Sequence, residues 1–151
     1  MLAILAGQGV GPIRFGAAVA TIERLMEAPC DLKTEKVCRY FGRAIEFELE
    51  QGAVVRMRIH RMDRPAGADA SGTPRAYGVF NGAIPPDLRF GMLPWAIKEK
   101  LGGPARVEEV AGGGPSNTRE RHHYAGMILD YDLMDNGQLV LGGVELFKPG
   151  A

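Results

Sequence analysis

The chain has 151 residues with 18 basic and 18 acidic side chains, so its net charge is zero and gives no general attraction to nucleic acid or to an anionic membrane. Hydrophobic residues make up 46% and charged residues 24%, which excludes a disordered chain and allows a buried core. The apolar run at the N-terminus is too short for a signal peptide, and no stretch reaches the ~20 apolar residues of a membrane span. We therefore expect a cytoplasmic protein.

An internal repeat is the most informative feature of the sequence. The segment 13–16, Ile-Arg-Phe-Gly, returns at 88–91 as Leu-Arg-Phe-Gly, and we expect Phe15 and Phe90 to be buried equivalents that anchor each helix to its sheet. The segment 40–49, a Tyr-x-Gly motif before alternating apolar and acidic residues, returns at 124–133. The second pair of segments is farther apart in the sequence than the first pair, so the second copy contains additional residues. The Gly-rich segment 111–117 is the natural place for them. The sequence therefore predicts two diverged copies of one module.

The elements follow the same order in each copy. Apolar residues at helical spacing predict a helix over 18–27, and a proline followed later by Gly-Gly-Pro predicts the second over 94–101. Alternating strands then flank a glycine hairpin turn. We expect an α+β fold of two tandem modules, 1–62 and 78–151. Each consists of a helix plus an antiparallel meander, the sheets are continuous or paired, and the helices lie on one face. A linker at 63–77, rich in Gly, Ala, Pro and Ser, joins them.

Residues that could form a catalytic or metal site are few. Cys30 and Cys38 have neither the spacing of a redox pair nor that of half a zinc site, so we expect two free thiols in a reducing compartment rather than a disulfide. His122 and His123 are adjacent, so a strand would point them to opposite faces and they could not share a metal. We expect no cofactor, no metal and no enzymatic activity.

Charged residues line the predicted solvent face of the strands. In the first copy, Glu46, Glu48 and Glu50 alternate with apolar residues, and cross-strand pairing with Arg56, Arg58 and His60 is the simplest interpretation. In the second copy, Asp130 and Asp132 repeat the acidic stripe, but Leu141 and Gly143 align with Arg56 and Arg58.

The divergence of the second copy predicts a protein-binding surface. The strand phase would place Leu139, Leu141 and Glu145 on the outer side beside the two aspartates, and an apolar patch next to charge is typical of an interface. Coverage of the leucines by a terminal segment is the alternative. Trp95, at the start of the second helix, would pack between helix and sheet or serve as an aromatic anchor of the interface. The candidate partner-binding residues are Glu46, Glu48, Trp95, Asp130, Asp132, Leu139, Leu141 and Glu145.

The Leu/Ile-x-Phe-Gly turn, the short helix ending near a proline, and the Tyr-x-Gly strands with a glycine hairpin resemble the tandem module of β-lactamase-inhibitor-protein-like folds. This resemblance covers residues 9–147. It implies an eight-stranded sheet with a concave binding face. Proteins of this appearance include bacterial immunity proteins of contact-dependent growth inhibition and related systems.

The resemblance and the residues together lead to one expected function. We expect an immunity protein that neutralises a bacterial toxin by occluding it, with a cognate toxin domain as partner, a nuclease being one candidate. Nucleic acid and membranes are not expected partners. The alternatives are a structural or adaptor module of an envelope or secretion system, and a small-molecule-binding domain.

Overall fold

The computed structural model describes residues 2–112 and 114–150. Strands account for 45% of the chain and helices for 11%, so the predicted α+β class is wrong and the protein is mostly β. The difference arises because many segments between the predicted elements form strands of two to four residues. Such strands are too short to carry an alternating pattern, so they leave no periodic signal in the sequence.

Fourteen strands and two helices make up the described part of the chain. In chain order, they are β1 (Leu2–Leu5), β2 (Gly9–Val10), β3 (Ile13–Arg14), α1 (Val19–Met26), β4 (Leu32–Lys33), β5 (Val37–Tyr40), β6 (Ile45–Glu50), β7 (Ala53–His60), β8 (Pro65–Ala68), β9 (Pro74–Ala76), β10 (Gly82–Ala83), α2 (Pro94–Leu101), β11 (Arg106–Glu109), β12 (Thr118–Tyr124), β13 (Met127–Leu133) and β14 (Leu139–Phe147).

One eight-stranded antiparallel sheet organises the molecule, in the order β11-β12-β13-β14-β7-β6-β5-β4. The two halves of the chain meet at its centre, where β14 pairs with β7 from Gly143 opposite His60 to Phe147 opposite Arg56. A four-stranded sheet, β10-β1-β2-β3, and the two-stranded sheet β8-β9 complete the strands.

The helices pack against the main sheet through one continuous core. Ile22 and Met26 of α1 and Ile97 of α2 are buried in the same cluster as the inward-facing residues of the central strands, such as Phe47 and Leu129. Each helix is preceded by extended backbone at its N-cap, and Pro94 opens α2 as a first-turn proline. We call the sheet face that these helices cover the inner face, and the opposite face the outer face.

The repeated Phe-Gly turns dock directly onto the two central strands. Gly16 and Gly91 have φ values of 91° and 94°, a conformation that glycine adopts without steric cost. The Gly16 N–H donates to the carbonyl of Val54 at 2.8 Å, and the Gly91 N–H donates to the carbonyl of Leu141 at 3.0 Å. The repeat therefore specifies how each helix is anchored to the sheet.

The aromatic residues of these turns are less buried than the sequence suggests. Phe15 and Phe90 are only half-buried and border the core, whereas Ile13 and Leu88, two residues earlier, are buried in it. The expectation that the two phenylalanines are the buried anchors is therefore wrong. The aliphatic residue of each motif fills that role.

Cys30 and Cys38 form a disulfide, with their Cα atoms 5.4 Å apart. The expectation of two free thiols is wrong, because the β4–β5 hairpin folds the chain back and brings Cys38 beside the segment that follows α1. The bond fastens a buried position of the sheet, Cys38, to the end of the helical segment.

The segment expected as a linker, 63–77, folds back onto the outer face. It contains the β8–β9 hairpin, and Ala66 and Tyr77 form a small separate cluster with Phe41 and Ala44. Directly after the segment, the Gly78 N–H donates to the carbonyl of Phe41 at 2.8 Å. We call residues 63–77 the hairpin segment.

Candidate functional site

The outer face of the main sheet carries a continuous array of charged side chains. Alternation places Phe47 and Met57 in the core and turns Glu46, Glu48 and Arg58 to the outer face. The register sets Glu46 opposite Arg58 and Glu48 opposite Arg56. Opposite charges on neighbouring strands therefore face each other, as the sequence pattern predicts.

The ion pairs cross the junction between the two halves. The Arg58 guanidinium donates to Glu48 Oε1 and Glu145 Oε1, both at 3.0 Å. Glu145 Oε1 also lies 3.3 Å from Arg121 Nη2, and Arg121 Nε donates to Asp130 Oδ1 at 2.8 Å. Burial disfavours the charge on Arg58, but Glu145 and Glu48 outweigh it and raise the pKa of the guanidinium. We call this chain of pairs, from Glu48 to Asp130, the ion-pair ladder.

An open cleft of about 1270 Å³ lies over the outer face of β5, β6 and β7. The ladder residues Glu48 and Arg58 belong to its floor. At its rim, Glu35 and Glu50 are exposed, and within the described residues neither forms an ion pair. The exposed Lys36 also lines the cleft and forms no ion pair within the described residues, so the cleft combines fixed charges below with two free carboxylates and one free ammonium above.

The hairpin segment covers the outer face next to the cleft and buries a second polar network. Tyr77 stacks on His60 with 3.9 Å between ring centroids, and its hydroxyl donates to Glu46 Oε1 at 3.2 Å. Glu46 Oε1 is also 2.9 Å from His60 Nε2, and Arg39 Nε donates to Glu46 Oε2 at 3.1 Å. Burial would raise the pKa of Glu46, but His60 and Arg39 outweigh it and lower the pKa to about 2.

The other ring nitrogen of His60 fixes its protonation. Arg64 Nη1 lies 2.9 Å from His60 Nδ1, and a guanidinium can only donate, so Nδ1 accepts and Nε2–H donates to Glu46. Burial lowers the pKa of His60 and favours the same neutral form. The imidazole therefore links the sheet to the hairpin segment as a neutral group.

The structure places the predicted acidic residues in different environments. Asp132 is fully buried and bonds to Arg61 and Arg64 under the hairpin segment, and Asp130 is half-buried between Arg64 and Arg121. Glu145 is 9% exposed. The buried Glu46 and the half-buried Glu48 also lie in ion pairs. All five carboxylates face the outer side, but each already forms ion pairs within the chain and most are largely buried.

The two leucines of the predicted patch point the other way. Leu141 is fully buried in the core, and the half-buried Leu139 packs against the same cluster. The expected outward orientation is wrong because of a β-bulge. Asp130 pairs with Gly143 but the next residue, Tyr131, pairs with Leu141, so Gly142 is unpaired. One extra residue exchanges the faces of all positions beyond it.

Trp95 is the most exposed part of the predicted set. The residue is 63% exposed, so the expectation that it packs between helix and sheet is wrong, and it lies on α2 rather than on the outer face of β13 and β14. The structure therefore does not assemble the predicted residues into one patch. Arg64 and Tyr77, which no sequence pattern marks, belong to the buried network although they lie in a segment without periodicity. The one signal that could have found them is that they are large and polar among mostly small residues.

No family model, curated protein or solved structure matches the chain. The similarity to β-lactamase-inhibitor-protein-like modules stays a prediction from the sequence motifs. Across residues 2–112 and 114–150, no helix is long and apolar enough to cross a membrane. Over the same residues, no group of three or more His, Cys, Asp or Glu side chains is arranged to hold a metal ion.

Proposed function

We propose that this chain is a non-enzymatic protein-binding protein that docks its partner in the cleft over β5, β6 and β7. The observation that carries the proposal is a floor of ion-paired side chains beneath an open rim. Glu48 and Arg58 are held in position by the ion-pair ladder, so binding costs little side-chain ordering. The free carboxylates Glu35 and Glu50 add electrostatic steering toward a basic partner surface.

The partner class follows from the sequence resemblance. We propose a toxin domain with a basic surface, a nuclease being one candidate, which this protein inhibits by covering it. Acidic rim residues would accelerate association, and the apolar groups that become buried, such as Val55 in the cleft, would slow dissociation. The predicted role of Asp130, Asp132, Leu139 and Leu141 in partner binding is replaced by that of the cleft.

The disulfide favours a second candidate function. The cytoplasm keeps thiols reduced, whereas disulfides such as Cys30–Cys38 persist mainly in oxidising compartments. An adaptor module of a bacterial envelope or secretion system would meet that condition. The cleft serves the same protein-docking role in either setting, so compartment and partner are separate questions.

The experiment expresses the proteins encoded by the genes that flank this chain's gene and measures association with any that carries a toxin domain. Glu50→Lys reverses an exposed rim charge with no intramolecular partner in the described chain, and Glu99→Lys reverses an exposed charge on α2 as the matched control. We expect Glu50→Lys to lower the association rate at least tenfold at low salt and the control to leave it unchanged. Equal rates for both variants would exclude the cleft, and absence of binding by the wild type would exclude that partner.

A further inference from the structure

Arg64 enters a closed socket on the outer face where the two halves of the chain meet. The residue precedes β8 and is 5% exposed although it lies in a surface segment. Its Nη2 donates to Thr118 Oγ1 at 3.0 Å and to Asp132 Oδ1 at 3.2 Å, and reaches Asp130 Oδ2 at 3.4 Å. With Nη1 on His60 Nδ1, each terminal nitrogen of the guanidinium faces an acceptor.

The third nitrogen of the guanidinium, Nε, faces the same carboxylate without a hydrogen bond to it. Arg64 Nε lies 3.1 Å from Asp132 Oδ2 but outside hydrogen-bond geometry, so the pair is held by charge attraction and by the hydrogen bond from Nη2 to Oδ1. Two guanidinium nitrogens therefore lie against the two oxygens of one carboxylate, close to the bidentate arrangement that arginine favours. Asp132 is itself fully buried and is held by Arg61 Nε at 3.1 Å and by the Thr118 hydroxyl at 2.9 Å.

Two consecutive glycines make the space for this group. A Cβ at Gly143 would collide with Arg64 Nη1, and a Cβ at Gly142 would collide with Asp132 Oδ2. Glu46 and Asp130 occupy the same position of the repeated segment. Arg58 pairs with Glu46 and Gly143 pairs with Asp130, so Arg58 is the residue of the first half that is equivalent to Gly143. The second half thus lacks the side chain that would fill the socket, and a residue of the hairpin segment fills it.

We propose that His60, Thr118, Asp130 and Asp132, above the floor of Gly142 and Gly143, form a guanidinium-binding site that Arg64 occupies in cis. The hairpin segment is then held on the outer face by the binding of its own Arg64 side chain in this site. Withdrawal of Arg64 leaves a site whose ligand class is the alkylguanidinium group, the side chain of an arginine. This site lies beside the cleft and does not depend on the function proposed for it.

Arg64→Ala removes the occupant and ethylguanidinium replaces the missing atoms. We expect saturable stabilisation of this variant, with an unfolding midpoint about 3–5 °C higher at ten times the dissociation constant. Ethylammonium, which has the charge but not the planar fork, should give no such rise. Arg75→Ala is the matched control on the same hairpin, because Arg75 is exposed and its contacts are an ion pair with Asp69 and a cation–π contact with the Phe41 ring at 4.8 Å, neither of which touches the socket.

The same titration gives the contradicting result. If ethylguanidinium and ethylammonium act alike on Arg64→Ala, or if Arg75→Ala responds as strongly, the site does not recognise guanidinium. A second variant covers the case in which Arg64→Ala fails to fold. Gly143→Ala narrows the socket, and we expect hydrogen exchange in residues 63–77 to accelerate at least tenfold while β6 keeps its protection. Unchanged protection of 63–77 would overturn the proposal.

Discussion

His60 shows how one buried imidazole connects three parts of the chain. It accepts from Arg64, donates to Glu46, and stacks on Tyr77, so it touches the sheet on one side and the hairpin segment on the other. A protonated ring would carry a hydrogen on Nδ1 and oppose the guanidinium, in addition to the cost of a buried charge. The neutral ring is therefore part of the folded arrangement.

The free energy of unfolding should fall in mild acid because of His60. Its folded-state pKa lies below the ordinary value of 6.5, so the unfolded chain takes up a proton first and stability is lost as pH falls through 6.5. We expect a loss of roughly 1 kcal/mol per pH unit between that point and the lower pKa of the folded state, measured by urea unfolding. His60→Gln preserves one donor and one acceptor and should remove this slope. His123→Gln is the control, and an unchanged slope in His60→Gln would contradict the assignment.

Leu141 tests the direction in which β14 presents its side chains. Because it is fully buried, Leu141→Ala should lower the free energy of unfolding by about 2–5 kcal/mol. Val79→Ala, at a residue that is 63% exposed, is the comparison and should change stability little. Denaturant midpoints for both variants decide the question. A neutral Leu141→Ala would mean that the bulge at Gly142 does not set the phase of the strand.

At the scale of elements, a few side-chain bonds connect the strands of the main sheet to the segments that follow the helices. The disulfide holds β5 beside the end of α1, and Tyr40 on the same strand donates from its hydroxyl to the carbonyl of Ala28 at 2.8 Å. In the second half, the Tyr124 hydroxyl donates to the carbonyl of Gly102 at 3.1 Å. The repeated tyrosine performs the same task in both halves, and the disulfide reinforces only the first.

Removal of the disulfide should destabilise the protein without changing its architecture. The bond closes a loop with a sequence separation of 8, for which chain entropy gives about 2–3 kcal/mol. We expect Cys30→Ser/Cys38→Ser to lower the free energy of unfolding by that amount, with far-UV circular dichroism unchanged at low temperature. Reduction of the wild type should give the same midpoint as the double variant. Equal stability of oxidised and reduced protein would contradict a structural role.

At the scale of the whole molecule, the pairing of β7 with β14 joins the two halves of the chain into one sheet. Ile59 and Val144 face each other across this pairing and are buried in the common core. On the outer face, Arg58 and Glu145 bond across the same junction. Separation of the halves would expose the apolar core on one face and break the ion-pair ladder on the other.

Unfolding should therefore be a single cooperative transition. We expect hydrogen exchange of β6 and of β13 to accelerate at the same denaturant concentration, because neither half can keep its core without the other. Val144→Ala, at the junction, should lower both midpoints equally. A second half that exchanges at clearly lower denaturant than the first would show that the repeats are independent units.

Local patterns in the sequence determined the parts of the fold that depend on near neighbours. The Phe-Gly turns, the two helices and the alternating strands β6 and β7 are set by spacing within a few residues, and they lie close to where the sequence predicts them. The pairing of Glu48 with Arg58 likewise follows from alternation and one hairpin. The short strands, by contrast, have no pattern of their own.

Tertiary structure decided which residues share the outer face and what covers it. A single unpaired residue at Gly142 turned Leu141 into the core, and a period-two pattern contains no sign of where such a residue falls. The burial of Arg64 depends on Asp132, 68 positions away, so nothing local marks that arginine as an internal ligand. The disulfide likewise required the β4–β5 hairpin. Faces and long-range pairs are set by packing of the whole chain, because the local sequence constrains only the backbone near it.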